Sequence, residues 1–236
     1  MQLNVFEKLI AANVLIFLIA SLLKIVLSTG SSLIWFELPS DFIDFIKQPW
    51  AIITYAFVHY DFMHLLFNMI WLYVIGQLFI NLFNFKLGLN VYFLGAISGG
   101  LVFLLGYNVF PGFFDSGHRL VGASAAVRAL LIFLCAYMPN KEMRFFTFNI
   151  KLWYVGIAVV IMDFVGLFGL NAGGNLAHFG GTILGYFYGT QLSKGNDIGK
   201  GFENLMDIVI SWFKPGKRSP LKTVHKKKKS KGFGGY

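Results

Sequence analysis

Charge is what this sequence has least of. Charged residues make up 13% of its 236 positions, about half the share found in an ordinary soluble domain. Hydrophobic residues fill 56%, Phe alone occurs 27 times, and the mean hydropathy is +0.65. A water-soluble chain of 26.6 kDa could not bury so much apolar surface. The shortage excludes a soluble globular domain, a disordered chain, a coiled coil and a nucleic-acid-binding domain, and it leaves an integral membrane protein. Cysteine is also scarce. Cys135 stands alone, so no intrachain disulfide can form, and its apolar neighbours read as core packing. His59 and His64 are five apart with no HExxH, which argues against a zinc protease. Internal repeats and paired broken helices, the marks of a small transporter, are missing as well.

The charge that is present is unevenly placed. Residues 1–190 hold nine basic and eight acidic residues, a net of +1. Residues 191–236 hold eleven basic and three acidic residues, a net of +8, with Lys226, Lys227, Lys228 and Lys229 in one run. A basic run can signal nucleic acid. Beside a membrane domain it reads instead as a cytoplasmic tail near anionic lipid.

Apolar segments of spanning length recur near 9–28, 52–80, 88–107, 121–138, 152–170 and 175–192. The first has Lys8 before it and small residues at Ser28 to Ser32 after it, but it is long for a signal peptide and lacks a clear cleavage site. With six spans, Lys8, Lys86, the group Lys141, Arg144 and Lys151, and the tail all fall on one side. Glu37, Asp41 and Asp44, then Asp115 and Arg119, then an uncharged loop fall on the other. That asymmetry places both termini in the cytoplasm. Residues 1–192 form the core and 193–236 the tail. Within the first outer loop, Trp35, Phe36, Phe42, Ile43, Phe45, Ile46 and Trp50 mix with acids, as in an element lying in the membrane interface. Phe202, Leu205, Met206, Val209 and Phe213 recur at helical spacing, which predicts an interfacial helix near 202–213. Beyond Pro215 the composition reads as disordered. His118 beside Arg119 reads as a solvated loop or a lipid-headgroup contact, and His225 as part of the basic tail segment.

Polar groups inside apolar spans are costly, so each one asks for a reason. Three clusters stand out. In VHYDFMHLLFNMI, His64 and Asn68 are four apart and share a helix face. They could aim two N–H donors at one point, as an oxyanion site requires, or could make interhelical hydrogen bonds. In VGASAAVRA, small residues around Ser124 leave its hydroxyl open to a neighbouring helix or a substrate backbone. Ordinary small-residue packing is the other reading. In GGNLAHFGGTILGYFYG, His178 precedes Gly181, Gly185 and Gly189 at four-residue steps, a row that permits close backbone contact. Contact with the Ser124 helix would set imidazole against hydroxyl, a serine-and-base pair. A hydrogen-bonded packing histidine is the alternative. Ser124, His178 and His64 all fall in the outer half of the membrane by this topology.

Taken in order, HYDFMHLLFN, GASAA and AHFGGTILG resemble the HxxxxHxxxN, GxS and AHxxGxxxG motifs of the rhomboid family of intramembrane serine proteases. The resemblance covers about 1–192. It implies an all-α, six-transmembrane-helix bundle. It implies that Ser124 is the nucleophile and His178 its general base. His64, Asn68 and the Ser124 backbone N–H would stabilise the oxyanion. Gly122 would sit in the turn before the serine, His59 would hold the nearby loop, and Gly181 and Gly185 would pack the last span on the serine's span. Proteins of this kind use no metal, no cofactor and no third acidic residue. They cleave transmembrane protein substrates near their outer ends, favouring small side chains before the cut and helix-weakening residues after it. A bare six-span core with a cytoplasmic tail is similar to bacterial inner-membrane members.

Two departures qualify the resemblance. Trp50 is followed by Ala51, where the family often carries a Trp-Arg pair. Arg128, one turn after Ser124 on the same face, stands where many members place an apolar residue. Asp163 is the one carboxylate well inside the apolar segments, which predicts an Arg128–Asp163 ion pair beneath the site. Polar groups or backbone carbonyls are the competing partners for Arg128. The arginine also keeps open a second class of function, a catalytically weak or inactive rhomboid-like protein that binds membrane clients.

Overall fold

The computed structural model describes residues 3–27, 33–114, 118–145 and 147–213. Ser28 to Ser32, Asp115 and the tail beyond 213, with His225 and the four-lysine run, lie outside the described residues.

The first helix, α1 (Val5–Leu27), begins in a reciprocal cap. The Asn4 side chain accepts from the N–H groups of Phe6 and Glu7, and Glu7 accepts from the Asn4 N–H at 2.9 Å. Phe6 then inserts where α4 (Phe62–Leu82) and α5 (Phe85–Val109) are notched by glycine. A Cβ at Gly76 would lie 2.7 Å from its ring and one at Gly88 2.6 Å from its tip. Asp61 and Asn84 cap α4 and α5 by accepting from the N–H groups of His64 and Leu87.

Between α1 and α4 the chain makes α2 (Phe42–Lys47) and α3 (Ala51–Thr54), followed by a 3-10 turn at Tyr55–Phe57. The apolar run that suggested a span from 52 is therefore broken, because the Asp61 cap starts the long helix only at Phe62. The loop is knitted to itself: Gln48, Trp50 and Thr54 donate to the carbonyls of Glu37, Trp35 and Phe36. Its β1 (Leu38–Pro39) pairs antiparallel with β2 (Arg119–Leu120), tying the loop to the chain just before the serine. Phe42, Ile43 and Ile46 of α2 remain exposed.

The centre of the molecule is α6 (Ser124–Tyr137), buried over ten of its fourteen residues. It is followed by a hairpin of β3 (Glu142–Phe145) and β4 (Phe148–Lys151), which the composition of that basic loop did not predict. Then come α7 (Leu152–Gly166), α8 (Ala172–Ser193) and α9 (Lys200–Phe213). Helix α8 lies parallel to α6 at backbone contact. Gly181, Gly185 and Gly189 stand in step against the carbonyl oxygens of Ala125, Ala129 and Phe133, and any Cβ there would collide with them. Helix α5 closes the other side, with Gly95 and Gly99 against the methyls of Ala129 and Ala125. Ser98 adds a hydroxyl bond of 2.8 Å to the Gly180 carbonyl.

The outer surfaces of α1 and α7 are apolar and exposed, as at Leu18, Leu22, Ile25, Ile161, Met162 and Val165. A surface of that kind suits lipid rather than water. Among the described residues, α1, α4 and α5 are long and apolar enough to cross a membrane. At 14 and 15 residues, α6 and α7 are about 21–23 Å long, short of the roughly 30 Å of hydrocarbon.

Candidate active site

Ser124 is the first residue of α6, and the backbone before it is specialised. Gly122 has φ +108°, a region that L side chains rarely enter. A Cβ there would also lie 2.6 Å from His64 Cε1. Two bonds hold this turn. The Gly122 N–H donates to the Tyr55 carbonyl at 2.9 Å, and the Ala123 N–H donates to His59 Nε2 at 3.3 Å. His59 is fully buried, and its ring centroid is 5.0 Å from that of His64. Tyr55 is itself fixed by a 2.7 Å bond from its hydroxyl to the Ala96 carbonyl. The short helices ahead of α4 thus serve as a brace for the turn that presents Ser124, a role invisible in the apolar pattern of that stretch.

Ser124 faces two cavities. One, of about 810 Å³, is lined by Ser124 with His64, Tyr107, His118, Arg119 and Asn171 among others. The second, of about 170 Å³, is lined by Ser124 with Asn68, Trp71 and Arg128 among others. Ser124 thus shares one cavity with His64 and the other with Asn68. The Asn68 amide already donates one hydrogen to the His64 carbonyl at 2.8 Å, which sets its orientation along α4. Its second N–H is not consumed by that bond.

His178 lies on α8, one turn ahead of the Gly181 contact with Ala125. Its Nδ1 is 2.8 Å from Asp163 Oδ1. The same oxygen accepts from Arg128 Nη2 at 2.9 Å. Arg128 is one turn along α6 from Ser124, so a single carboxylate oxygen joins the histidine to the face of α6 that carries the serine. Asp163 is 2% exposed, while Leu152 and Gly156 are the other buried residues of α7. The sequence marked Asp163 as a partner for Arg128; its contact with His178 was not foreseen. The resemblance implies no third acidic side chain at the site, and the structure sets a buried carboxylate on the histidine. The signal was present in the isolation of one Asp in an apolar span, but the helix rotation that aims it at α8 cannot be read from spacing.

The Rhomboid domain family matches residues 47–195 of this chain. Among curated proteins, it is similar to Rhomboid protein 1, mitochondrial, of Saccharomyces cerevisiae, at 28% identity over 72% of this chain and 49% of that protein. It is also similar to Rhomboid protease GlpG of Yersinia enterocolitica, at 27% identity over 68% of this chain and 54% of that protein. The chain spans about half the length of these relatives. The matched stretch contains His59, His64, Asn68, Gly122, Ser124, Arg128, Asp163, His178, Gly181 and Gly185.

Proposed function

From the premise that the chain belongs to the rhomboid family and is an integral membrane protein, we propose that it is an intramembrane serine endopeptidase. Its substrates are transmembrane segments of other membrane proteins, cut near their outer ends. The observation that carries this reading is the presentation of Ser124: a positive-φ glycine and two buried hydrogen bonds set its hydroxyl at the head of a buried helix, in the wall of a cavity. Such a turn has no use in plain helix packing. The glycine row of α8 brings the backbone of the histidine's helix against the serine's helix.

Under this reading His178 takes the Ser124 proton as the oxygen attacks a substrate carbonyl. The His64 ring, the Asn68 amide and the Ser124 N–H receive the negative charge on the carbonyl oxygen. The six spans are α1, α4, α5, α6, α7 and α8, with both termini cytoplasmic and the protein in a bacterial inner membrane. Helix α6 is too short to cross the hydrocarbon, so Ser124 starts below the outer surface, and the polar-lined cavity gives it water. A helical substrate must unwind there to expose its carbonyl, which selects helix-weakening sequences. Helix α9 lies along the inner surface. Lys86 at the head of α5 bonds Glu203 and Asp207, while Leu205, Ile208 and Trp212 are left exposed to lipid. The basic tail beyond it favours anionic lipid, and no nucleic acid or cofactor enters the scheme.

The Arg128 ion pair beside His178 favours one other reading, a client-binding protein of low activity. One experiment separates the two. The purified protein is given a reporter transmembrane substrate in detergent and in liposomes, beside Ser124→Ala and His178→Ala. Cleavage lost in both variants supports the protease. Undiminished cleavage by Ser124→Ala sinks the mechanism, and intact wild-type protein that never cuts supports client binding.

A further inference from the structure

We propose that Asp163 is a positioning residue for His178, so that the site works as a serine–histidine–aspartate set whose carboxylate is carried by α7. This deepens the protease reading above and rests on it.

The geometry carries the proposal. The Asp163 Oδ1 to His178 Nδ1 distance of 2.8 Å is that of a good hydrogen bond. An ionised carboxylate can only accept. The bond therefore requires the imidazole proton on Nδ1, which leaves the Nε2 lone pair for the serine hydroxyl. A histidine on a helix otherwise has two tautomers and a free ring rotation, and only one combination serves as base toward Ser124. Asp163 removes the others. Its burial makes the constraint firm, because water competes little for a carboxylate that is 2% exposed.

Asp163 is also the polar residue among the three buried positions of α7; the other two, Leu152 and Gly156, are apolar. Packing alone would have been served by another apolar side chain there. Arg128 balances its charge from α6 through the same oxygen at 2.9 Å, and this is what lets a carboxylate stand at the histidine inside an apolar bundle.

The proton count closes without the aspartate changing state. The Ser124 hydroxyl proton passes to His178 Nε2 as Oγ bonds the scissile carbon and the carbonyl π electrons move to oxygen. The same proton passes from Nε2 to the amide nitrogen as the carbon–nitrogen bond breaks. Water repeats the sequence on the acyl-serine. The Nδ1 proton stays on His178, and Asp163 stays ionised throughout, stabilising the imidazolium.

The test must separate positioning from the simple anchoring of α7 by the ion pair. Arg128→Met and the double variant Arg128→Met with Asp163→Asn both lack that ion pair and differ only in the carboxylate at His178. Asn is isosteric but can present its amide N–H to Nδ1, favouring the wrong tautomer. Steady-state cleavage of the reporter substrate, with thermal unfolding, is compared within this pair. The expected result is a kcat at least about 100-fold lower in the double variant, with KM changed by less than about 3-fold and an unfolding temperature no lower than that of Arg128→Met, because Asn relieves the unpaired buried carboxylate. If Arg128→Met does not fold, Arg128→Gln, which retains a donor to Asp163, serves as the common background. Adding Asp163→Glu to either background should restore part of the lost kcat. Equal kcat values across the pair, or a loss wholly in KM or stability, overturn the role of Asp163 while leaving the protease reading intact. A wild-type protein that cuts nothing and whose Ser124 ignores a fluorophosphonate probe overturns both.

Discussion

Replacing Gly181 with alanine tests the contact of α8 with α6 on which the proposed serine–histidine pair would depend. At this position a Cβ would fall on the Ala125 carbonyl oxygen and also 3.0 Å from its carbon. The obstacle is backbone in the middle of a buried helix, so no side chain can swing aside. Helix α8 must move outward by about 1 Å to restore ordinary contact distances. Overpacking of this sort costs about 1–3 kcal/mol, which leaves most of the molecules folded. Activity should suffer far more. Ala125 directly follows Ser124, and Gly181 is one turn from His178, so on the proposed mechanism the shift carries the imidazole away from the hydroxyl by a similar distance. A 1 Å misplacement of reacting groups is worth about 100-fold in rate.

Two comparisons isolate the effect. A Cβ at Gly189 would lie 2.6 Å from the Phe133 carbonyl oxygen in the same row, but Gly189 lies eight residues, about 12 Å, further along. Gly189→Ala should lower stability with a smaller loss of kcat. Gly201 in α9 has nothing within 4 Å of a Cβ, and its alanine variant should be neutral or slightly stabilising. The assay is reporter-substrate cleavage in liposomes together with thermal unfolding in detergent. Gly181→Ala with wild-type kcat and unfolding temperature, or kcat losses equal at 181 and 189, would refute the reasoning.

Gly122→Ala forces a Cβ into the left-handed region and to 2.6 Å from the His64 ring; it should cost about 1–3 kcal/mol and abolish Ser124 labelling by a fluorophosphonate, and full labelling would count against the turn's role. Arg128→Met and Asp163→Ala each leave a buried partner uncompensated and should destabilise by about 3–5 kcal/mol. The double variant should be less destabilised than the sum, which a double-mutant cycle on unfolding temperature measures; additivity would mean the pair is not coupled. Lys86→Glu sets like charge against Glu203 and Asp207 and should free α9, read as faster tryptic cleavage after Lys194 or Lys200 with cleavage of the substrate unchanged.

Much of this architecture was legible because apolar length and small-residue spacing are strong signals. The glycine steps at 181, 185 and 189 predict a close helix contact, and the structure makes that contact with α6. The motif at 59–68 predicts that His59 and His64 approach the serine, and both reach the turn before it. What escaped detection depended on tertiary aim. The run from 52 reads as membrane-spanning, yet Tyr55 turns back to brace Gly122 through its carbonyl. The hairpin at 142–151 is held by backbone pairing, to which charge counts are blind. Asp163 could be paired with Arg128 on grounds of charge balance, but its reach to His178 follows from the rotation of α7, and no periodicity in that uniformly apolar helix reports it.

Of the six helices read as spans, the three that carry Ser124, Asp163 and His178 are those that, among the described residues, do not qualify by length and apolarity. On the proposed mechanism, this follows from the chemistry. Helix α8 has length enough at 22 residues, but glycines replace large apolar side chains wherever it must touch α6, and Asn175 and His178 lower its apolar content further. Helix α6 is cut short at its head because the chain must turn through Gly122 to present the hydroxyl. It can afford neither lipid exposure nor an extra turn, so α4, α5 and α8 enclose it. Helix α7 keeps a lipid-facing surface and spends its inward face on one carboxylate. That carboxylate explains the arginine that looked out of place. Without Arg128 the bundle would hold a lone buried charge at His178, and without Asp163 it would hold a lone guanidinium beside Ser124. Each makes the other tolerable, and the histidine bonded to the shared carboxylate oxygen gains a fixed orientation.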